Sequence, residues 1–495
     1  MMEKKNCIAA LDVGTSSVKV CLFTTEMEMI SRAVREYELH TWSNRVEAEG
    51  EDYLRAIRGG MEEALQNARA YRVAAIGVTT QGETFAPVDE AGNLLRPFIV
   101  WLDGRAEEQA EKLREIVSEM EFYRTTGLPE ISGALPLAKL MWLRQEEPEI
   151  YEKTHKFLLV EDFLLHRLTG RFVSEKSLQT STGWFDLASD GLWEKGLEAA
   201  GIDGAKLPEI LECGCRVAGL TAEAAKLLGL EAGIPVVTGA MDQTAAALAG
   251  GCTEPGTVTE TTGSALVMAA CTDNPSFAEG HHVTVYRHAF PGKYIYLPIG
   301  NTGGLALKWF RDQFCADLPR GEAGYDAINE LVSGVPAGCE GLVFLPFLSG
   351  SVDPDNCPDA TACFFGARLS TTRAHFARSV MESIAFLLRD FLEMLENLNC
   401  PVREVCSLGG GSRSDVWMQI KADVCGRKFL APSCSEATAM GAALLALWGA
   451  GLGETGVVPG MELAGSYAPN PDHRDSYEKA YGLYKRLYNA VKPLY

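Results

Sequence analysis

The sequence predicts an α/β protein made of two similar halves, and three observations carry that prediction. Apolar β-rich runs (73–80, 157–160, 234–238, 294–299, 342–346) alternate with helical stretches (106–120, 305–314, 371–398, 413–424), the pattern of layered α/β folds. A strand–turn–strand unit with glycine in the turn occurs at 7–23 and again at 257–270. The chain of 495 residues is too long for one compact core, so two domains are expected.

The first hairpin reads DVGTSSVK at 12–19. Gly14 permits a sharp turn, and Thr15, Ser16 and Ser17 offer amides and hydroxyls to an anion. Asp12 is a lone carboxylate at that turn, of the kind that holds a metal or a water. The second hairpin repeats the scheme around Gly263 and Ser264. Two such turns facing each other would hold phosphate between them, which points to ATP-dependent phosphoryl transfer. The strand at 73–80 runs into TQGETF at 80–85, where Gln81 and Glu83 beside Gly82 can bond several hydroxyls of a polyol. An ordinary polar turn reads equally well. VWLDGR at 100–105 sets Trp101 beside Asp103 and Arg105, an apolar ring and charged groups that suit a sugar. In isolation, a structural Asp103–Arg105 pair is the better reading of that segment.

The strand at 234–238 delivers Asp242 and Gln243 just past its end, after Gly239. Ligands gather outside the carboxyl ends of strands in such sheets, and a carboxylate there can take the proton of an attacking hydroxyl. The competing reading makes Asp242 the N-cap of the small-residue helix that follows. Turn-rich GGCTEPG at 250–256 marks the boundary between domains 1–252 and 253–495. LGGGSRSD at 408–415 links a strand to a helix N-terminus and offers unpaired amides to a nucleotide. EATAMGAA at 436–443 is a small-residue helix suited to close packing or close approach of a ligand. Tyr477, Tyr481, Tyr484 and Tyr488 lie at helical spacing and read as a stripe facing the core.

A net charge of −21 disfavours nucleic acid and anionic membrane surfaces as partners. No run approaches the roughly 18 apolar residues of a membrane span, and the first apolar run is too short for a secretion signal, so a cytoplasmic protein is expected. The 14 cysteines are scattered without a CxxC pair, which favours buried thiols over structural zinc. No P-loop or HExxH motif occurs. GLGETG at 451–456 fits GxGxxG in letters only, since it follows a helix-like run and no strand. His281-His282 reads as a surface turn.

Taken in order, DVGTSSVK (12–19), TQGETF (80–85), VWLDGR (100–105), GAMDQTAAALAGG (239–251) and GGGSRSDVWMQIKADVCG (409–426) resemble the FGGY family of carbohydrate kinases, along essentially the whole chain. That family belongs to the actin–hexokinase–Hsp70 superfamily. The resemblance implies two ribonuclease H-like (actin-like ATPase) domains with the ligand cleft between them. It implies transfer of the ATP γ-phosphoryl group to a sugar or polyol hydroxyl, with Mg²⁺. By position, Asp242 matches the general base and Asp12 the carboxylate near the metal and phosphates. Gly14, Thr15, Ser16, Ser17 and Lys19 match the first phosphate hairpin, and Gly263 and Ser264 the second, where the family more often has Gly-Thr. Gly304 and Lys308 match a nucleotide-contacting stretch, and Gly410, Gly411 and Asp415 the adenosine-binding turn. Lys308 and Asp415 depart from the glycerol kinase residues at those positions.

Gln81, Glu83, Trp101, Asp103, Arg105, Asp242 and Gln243 are the candidate sugar contacts. Glycerol kinases have Gln-Arg-Glu-Thr where this chain has Gln81-Gly82-Glu83-Thr84, and Ala134 stands near their glycerol-contacting Tyr. Both departures argue against glycerol. Xylulokinases share the pattern of Trp101 to Arg105 but carry Gln-Met-His-Gly at the other loop, so Glu83 takes the His slot. The expected acceptor is a ketopentose-like sugar of the xylulose or ribulose class, with a polyol of glycerol or erythritol type as the alternative. A non-enzymatic actin- or Hsp70-like ATP-binding protein is the alternative from another class. A sugar-sensing regulator would need a DNA-binding element, and none is appended. A small-molecule partner is expected, with no nucleic acid and no membrane, and a homodimer is compatible with the sequence.

Overall fold

The computed structural model describes residues 4–277, 283–459 and 461–495. The expected turn at His281-His282 lies outside them. The chain divides into two compact units. The first comprises Met1–Ala249, Thr284–Ile295 and Glu436–Gly460, and the second Gly250–Val283, Tyr296–Ser435 and Met461–Tyr495. Two segments that follow residue 252 in the chain therefore pack with the first unit.

The first unit is built on a sheet of β1 (Lys5–Val13), β2 (Ser17–Thr24), β3 (Met29–Glu36), β4 (Tyr71–Thr80), β5 (Arg216–Gly219) and β6 (Pro235–Met241), in the order β5-β6-β4-β1-β2-β3. β1, β4 and β6 are parallel, while β1 and β2 form an antiparallel hairpin. The central strands are near-continuous apolar runs because both faces are covered. On β2 and β3 lies α1 (Gly50–Asn67), with Tyr53, Leu54, Ile57, Met61 and Ala64 buried along one stripe. The helix Ala437–Gly449 packs on β1, β4 and β6 and on α3 (Asp242–Ala249). Its small residues serve backbone contact. A Cβ on Gly77 would stand 2.3 Å from the Ala442 carbonyl oxygen, and one on Gly441 would stand 2.0 Å from that of Ala245.

The second unit repeats the scheme. β7 (Thr257–Thr262), β8 (Leu266–Thr272), β9 (Glu404–Leu408), β10 (Lys428–Pro432) and β11 (Leu463–Tyr467) run in the order β8-β7-β9-β10-β11. Again an antiparallel hairpin leads into parallel neighbours, β7 beside β9 beside β10, with an antiparallel edge strand after them. The two sheets thus share one plan, as the two hairpins in the sequence foretold. Helices Gly304–Phe314 (α4), Arg373–Asn397 (α5), Asp415–Cys425 (α6) and Arg474–Val491 (α7) complete the unit. Tyr477, Tyr481 and Tyr484 of α7 are buried, and Tyr481 donates to Asp390 at 2.6 Å, so the tyrosine stripe does face the core. Among the described residues no helix is long and apolar enough to cross a membrane.

Candidate active site

Strand register gathers the first set of candidates. Thr79 pairs with Asp12 on β1 and with Ala240 on β6, and Thr80 pairs with Val13 and Met241. The next row therefore brings Gly14, Gln81 and Asp242 to the carboxyl ends of three adjacent parallel strands, where ligands bind in such sheets. The ladder between β4 and β6 shifts between Val237 and Ala240. At Gly239 a Cβ would lie 1.4 Å from the Val78 carbonyl oxygen, so only glycine fits, and the Gly239 amide donates instead to buried Glu161 at 2.8 Å.

Asp12 is buried at the end of β1 and takes an ion pair from Lys19 at 3.3 Å. Lys19 also reaches Glu436 at 3.2 Å, and Arg32 meets Glu436 at 2.7 Å. Burial pushes the Asp12 carboxyl up against the pull of Lys19. For Lys19, burial favours the neutral form, but Asp12 and Glu436 outweigh it and hold the ammonium above its ordinary value. The turn itself closes through the Gly14 amide on the Ser17 carbonyl at 3.0 Å, with the Tyr37 hydroxyl donating to the Gly14 carbonyl. Gly14 is not in the left-handed region, and a Cβ there would meet only the Ser17 carbonyl oxygen, at 3.5 Å. The tight turn expected at Gly14 is present, and it closes without a left-handed glycine. Ser16 is exposed, and Thr15 accepts a hydrogen bond from the Trp101 indole at 3.0 Å.

Around Asp242 the structure assembles more than the sequence announced. Asp242 is half-buried at the start of α3, and its carboxylate accepts from the Gln243 amide at 2.6 Å. Burial, then the charge of Asp12, raises it to about 7. Glu83 is half-buried in a left-handed conformation with φ 64°. Burial raises it to about 7 as well, with Lys139 pulling it down and Asp242 pushing it up. The Gln81 amide stands near the Tyr53 hydroxyl with neither of its polar atoms in hydrogen-bond geometry. Lys139, on α2 (Pro136–Glu146), is fully buried and donates to the carbonyls of Val100 at 2.9 Å and Trp101 at 3.4 Å. Burial lowers its ammonium to about 8, with Glu83 opposing. The Tyr286 hydroxyl is pushed well up by burial and by the charges of Glu83 and Asp242.

The segment 100–105 divides. Trp101 stays partly exposed, but Asp103 is fully buried and accepts from the Val46 amide at 2.6 Å and from Arg105 at 2.8 and 2.7 Å. Arg105 also meets Glu47 at 2.7 Å and lies over the Trp142 ring. As a direct sugar contact Asp103 is corrected, since both its oxygens are engaged with protein groups, and its pair with Arg105 braces the loop that carries Trp101; Arg105 keeps one buried guanidinium nitrogen without a partner.

In the second unit, the turn at Gly263 and Ser264 docks on the start of α4. The amides of Gly303 and Gly304 donate to the Ser264 and Gly263 carbonyls at 2.8 and 2.7 Å. A Cβ on Gly304 would stand 2.7 Å from the Gly263 oxygen, so Gly304 packs the hairpin. Lys308 is exposed and pairs with Asp312 at 2.9 Å. Gly410 has open space around it, whereas a Cβ on Gly411 would be 2.7 Å from Thr262 Cβ. Asp415 is exposed at the first turn of α6 and accepts from Tyr467. Beneath these turns, fully buried Lys421 reaches Glu260 at 2.7 Å and Thr262 at 2.8 Å, tying α6 to β7. Among the described residues no group of three or more His, Cys, Asp or Glu could hold a metal by itself.

Residues 7–249 match the model for the N-terminal domain of the FGGY family of carbohydrate kinases, and residues 259–450 match that for its C-terminal domain. The chain belongs to the FGGY family of carbohydrate kinases. A gluconokinase of Bacillus licheniformis is 27% identical over 98% of this chain and 96% of that protein. A xylulose kinase of Staphylococcus epidermidis is 26% identical over 99% and 98%. The crystal structure of xylulose kinase from Rhodospirillum rubrum superposes with a TM-score of 0.89 at 28% identity, covering 99% of each chain. As an FGGY kinase, the protein is a phosphotransferase with an alcohol group as acceptor, on the α/β two-domain fold of actin-like ATPases. ATP is the phosphate donor in this family.

Several residues of this FGGY kinase were missed by sequence reasoning. Ser177 accepts from the Met241 amide at 2.9 Å and donates to buried Glu175 at 2.9 Å, which holds the strand end next to Asp242. Lys139, Tyr286 and Glu436 are the others. Only a charged residue inside an otherwise apolar helix, as at Lys139, left a sequence signal for any of them.

Proposed function

We propose that the protein transfers the ATP γ-phosphoryl group to a hydroxyl of a ketopentose-like sugar, with Asp242 as the general base. The observation that carries this reading is the row of three parallel strand ends beside which Asp12, Gln81 and Asp242 stand. A carboxylate raised to about 7 suits the removal of a hydroxyl proton near neutral pH. Asp12 is a single buried carboxylate oriented by Lys19, which fits Mg²⁺ held largely through water and phosphate oxygens. Bound there, the ion would neutralise charge developing on the phosphoryl oxygens.

The amides and hydroxyls of half-buried Thr15 and Ser17 and exposed Ser16, with Lys19, would hold phosphate oxygens. In the second unit we assign the Gly263–Ser264 turn to phosphate and the Gly410–Gly411 turn, with Asp415, to the nucleoside. Gly304 would act by fixing the hairpin. Gln81, Glu83, Trp101 and Gln243 would contact the sugar, a ring face for C–H groups beside polar groups for hydroxyls. Use of ATP favours the cytoplasm as its place of work.

The test is ADP release with Mg-ATP and D-xylulose, L-xylulose, D-ribulose, L-ribulose, glycerol, erythritol or D-gluconate. One ketopentose should give a kcat/KM far above the rest, and EDTA should abolish turnover. A winning glycerol or erythritol would overturn the ketopentose assignment. ADP formed equally without any acceptor would overturn transfer to sugar.

A further inference from the structure

Resting on the kinase reading above, we propose that Glu83 is a charge filter. It admits uncharged polyhydroxy acceptors and turns away aldonates, and Lys139 is the positioning residue that holds it to that task. The relatives include both xylulose kinases and gluconokinases, so acceptor charge is the open question.

Geometry places Glu83 in the acceptor site. Thr80 pairs with Met241, and a Cβ on Gly82 would stand 3.1 Å from Met241 Sδ and 3.0 Å from Ser181 Oγ. The loop 81–84 therefore lies directly on the strand end that carries Asp242. The Thr84 amide closes it on the Gly82 carbonyl at 2.7 Å, which leaves Glu83 at its tip in the left-handed conformation, a cost usually borne where a side chain must point to a ligand. The Glu83 carboxylate is within electrostatic range of both Asp242 and the Tyr286 hydroxyl.

The neighbouring cations already face carboxylates or carbonyls of the protein, although Arg105 keeps one buried guanidinium nitrogen without a partner. Lys139 is fully buried, and its ammonium points at the carbonyls of Val100 and Trp101, beyond reach of a ligand. Its charge offsets Glu83 and its hydrogen bonds tether the Trp101 loop. Arg105 holds Asp103 and Glu47, Lys19 holds Asp12 and Glu436, and Arg287 meets Asp190 at 3.2 Å. An ionised carboxylate only accepts hydrogen bonds, so Glu83 suits sugar hydroxyls, which donate. Above about pH 7, where Glu83 and Asp242 are both ionised, a carboxylate on the acceptor would face two like charges. Repulsion of that kind, across a few ångströms at the effective dielectric of a protein surface, corresponds to about 10- to 100-fold in affinity.

The experiment compares D-xylulose, D-ribulose and D-gluconate as acceptors, by kcat/KM, in the wild type, Glu83→Gln and Lys139→Met. The wild type should disfavour D-gluconate by about 100-fold. Glu83→Gln should shrink that ratio at least tenfold, raising gluconate use while the ketose KM rises. Lys139→Met should raise the ketose KM, and the Glu83→Gln/Lys139→Met double variant should recover part of that loss, which a merely structural lysine would not show. Calorimetric binding of D-gluconate to the wild type and Glu83→Gln reads the filter without turnover, and binding should tighten at least tenfold in the variant. A wild-type preference for D-gluconate, or a ratio and an affinity both unmoved by Glu83→Gln, overturns the filter. Absence of turnover with every acceptor, alongside the expected binding gain, counts against the ketopentose reading and leaves the filter standing.

Discussion

Replacing Asp242 by Asn separates catalysis from stability, because the two should move in opposite directions. A general base contributes about 10²–10⁴-fold, or about 3–5 kcal/mol at 1.36 kcal/mol per tenfold, so kcat should fall by that factor while ATP binding survives. Stability should rise. Asp242 goes from an ordinary value of 3.8 to about 7 on folding. Between those values the native state binds more protons than the unfolded chain, so this group's contribution worsens as pH rises through that window and is at its worst above about 7. The full shift corresponds to about 4 kcal/mol, reduced by partial solvation to about 1–3 kcal/mol. Asp242→Asn should therefore gain that much at pH 8 and almost nothing near pH 4, read as Tm across pH. The acid limb of kcat/KM, falling tenfold per unit below about 7 in the wild type, should move down in the variant, since Glu83 then titrates without the Asp242 charge that raises it. Turnover within tenfold of the wild type, or a lower Tm at pH 8, would refute the base assignment.

Other perturbations test the frame around the site. Gly239→Ala has no room for its Cβ beside the Val78 carbonyl and should cost more than about 3 kcal/mol, seen as loss of soluble folded protein or a large drop in Tm. Lys421→Met leaves buried Glu260 charged with only the hydroxyls of Ser407 and Thr262 to meet it, at a cost of about 3–5 kcal/mol in denaturant unfolding; adding Glu260→Gln should return most of it. Asp103→Asn removes charge from the brace and should lower stability by about 1–3 kcal/mol with little change in acceptor KM. A tenfold rise in KM at unchanged Tm would restore Asp103 as a direct sugar contact.

What was legible in the sequence follows from what each signal depends on. Asp12 and Asp242 stand just where apolar strands give out, so periodicity alone located both, and the paired hairpins announced the repeated sheet. The structural reading of Asp103 and Arg105 was also available, since their spacing lets one side chain close on the other. The turn at Gly14 was legible from its glycine, whereas only the backbone reveals that it closes without a left-handed φ. Segments 284–295 and 436–460 could not be assigned to the first unit, because their partners lie far along the chain.

Lys139 shows the limit most clearly. In Leu137-Ala138-Lys139-Leu140 a lysine among apolar residues reads as a long side chain reaching for solvent. It is instead fully buried, beneath the loops that carry Trp101 and Glu83. A buried ammonium is tolerable only where carbonyls and an opposing carboxylate meet it, and those come from two other segments of chain. Its meaning is therefore a property of the fold, in which its charge opposes part of the burial that raises the acid at position 83.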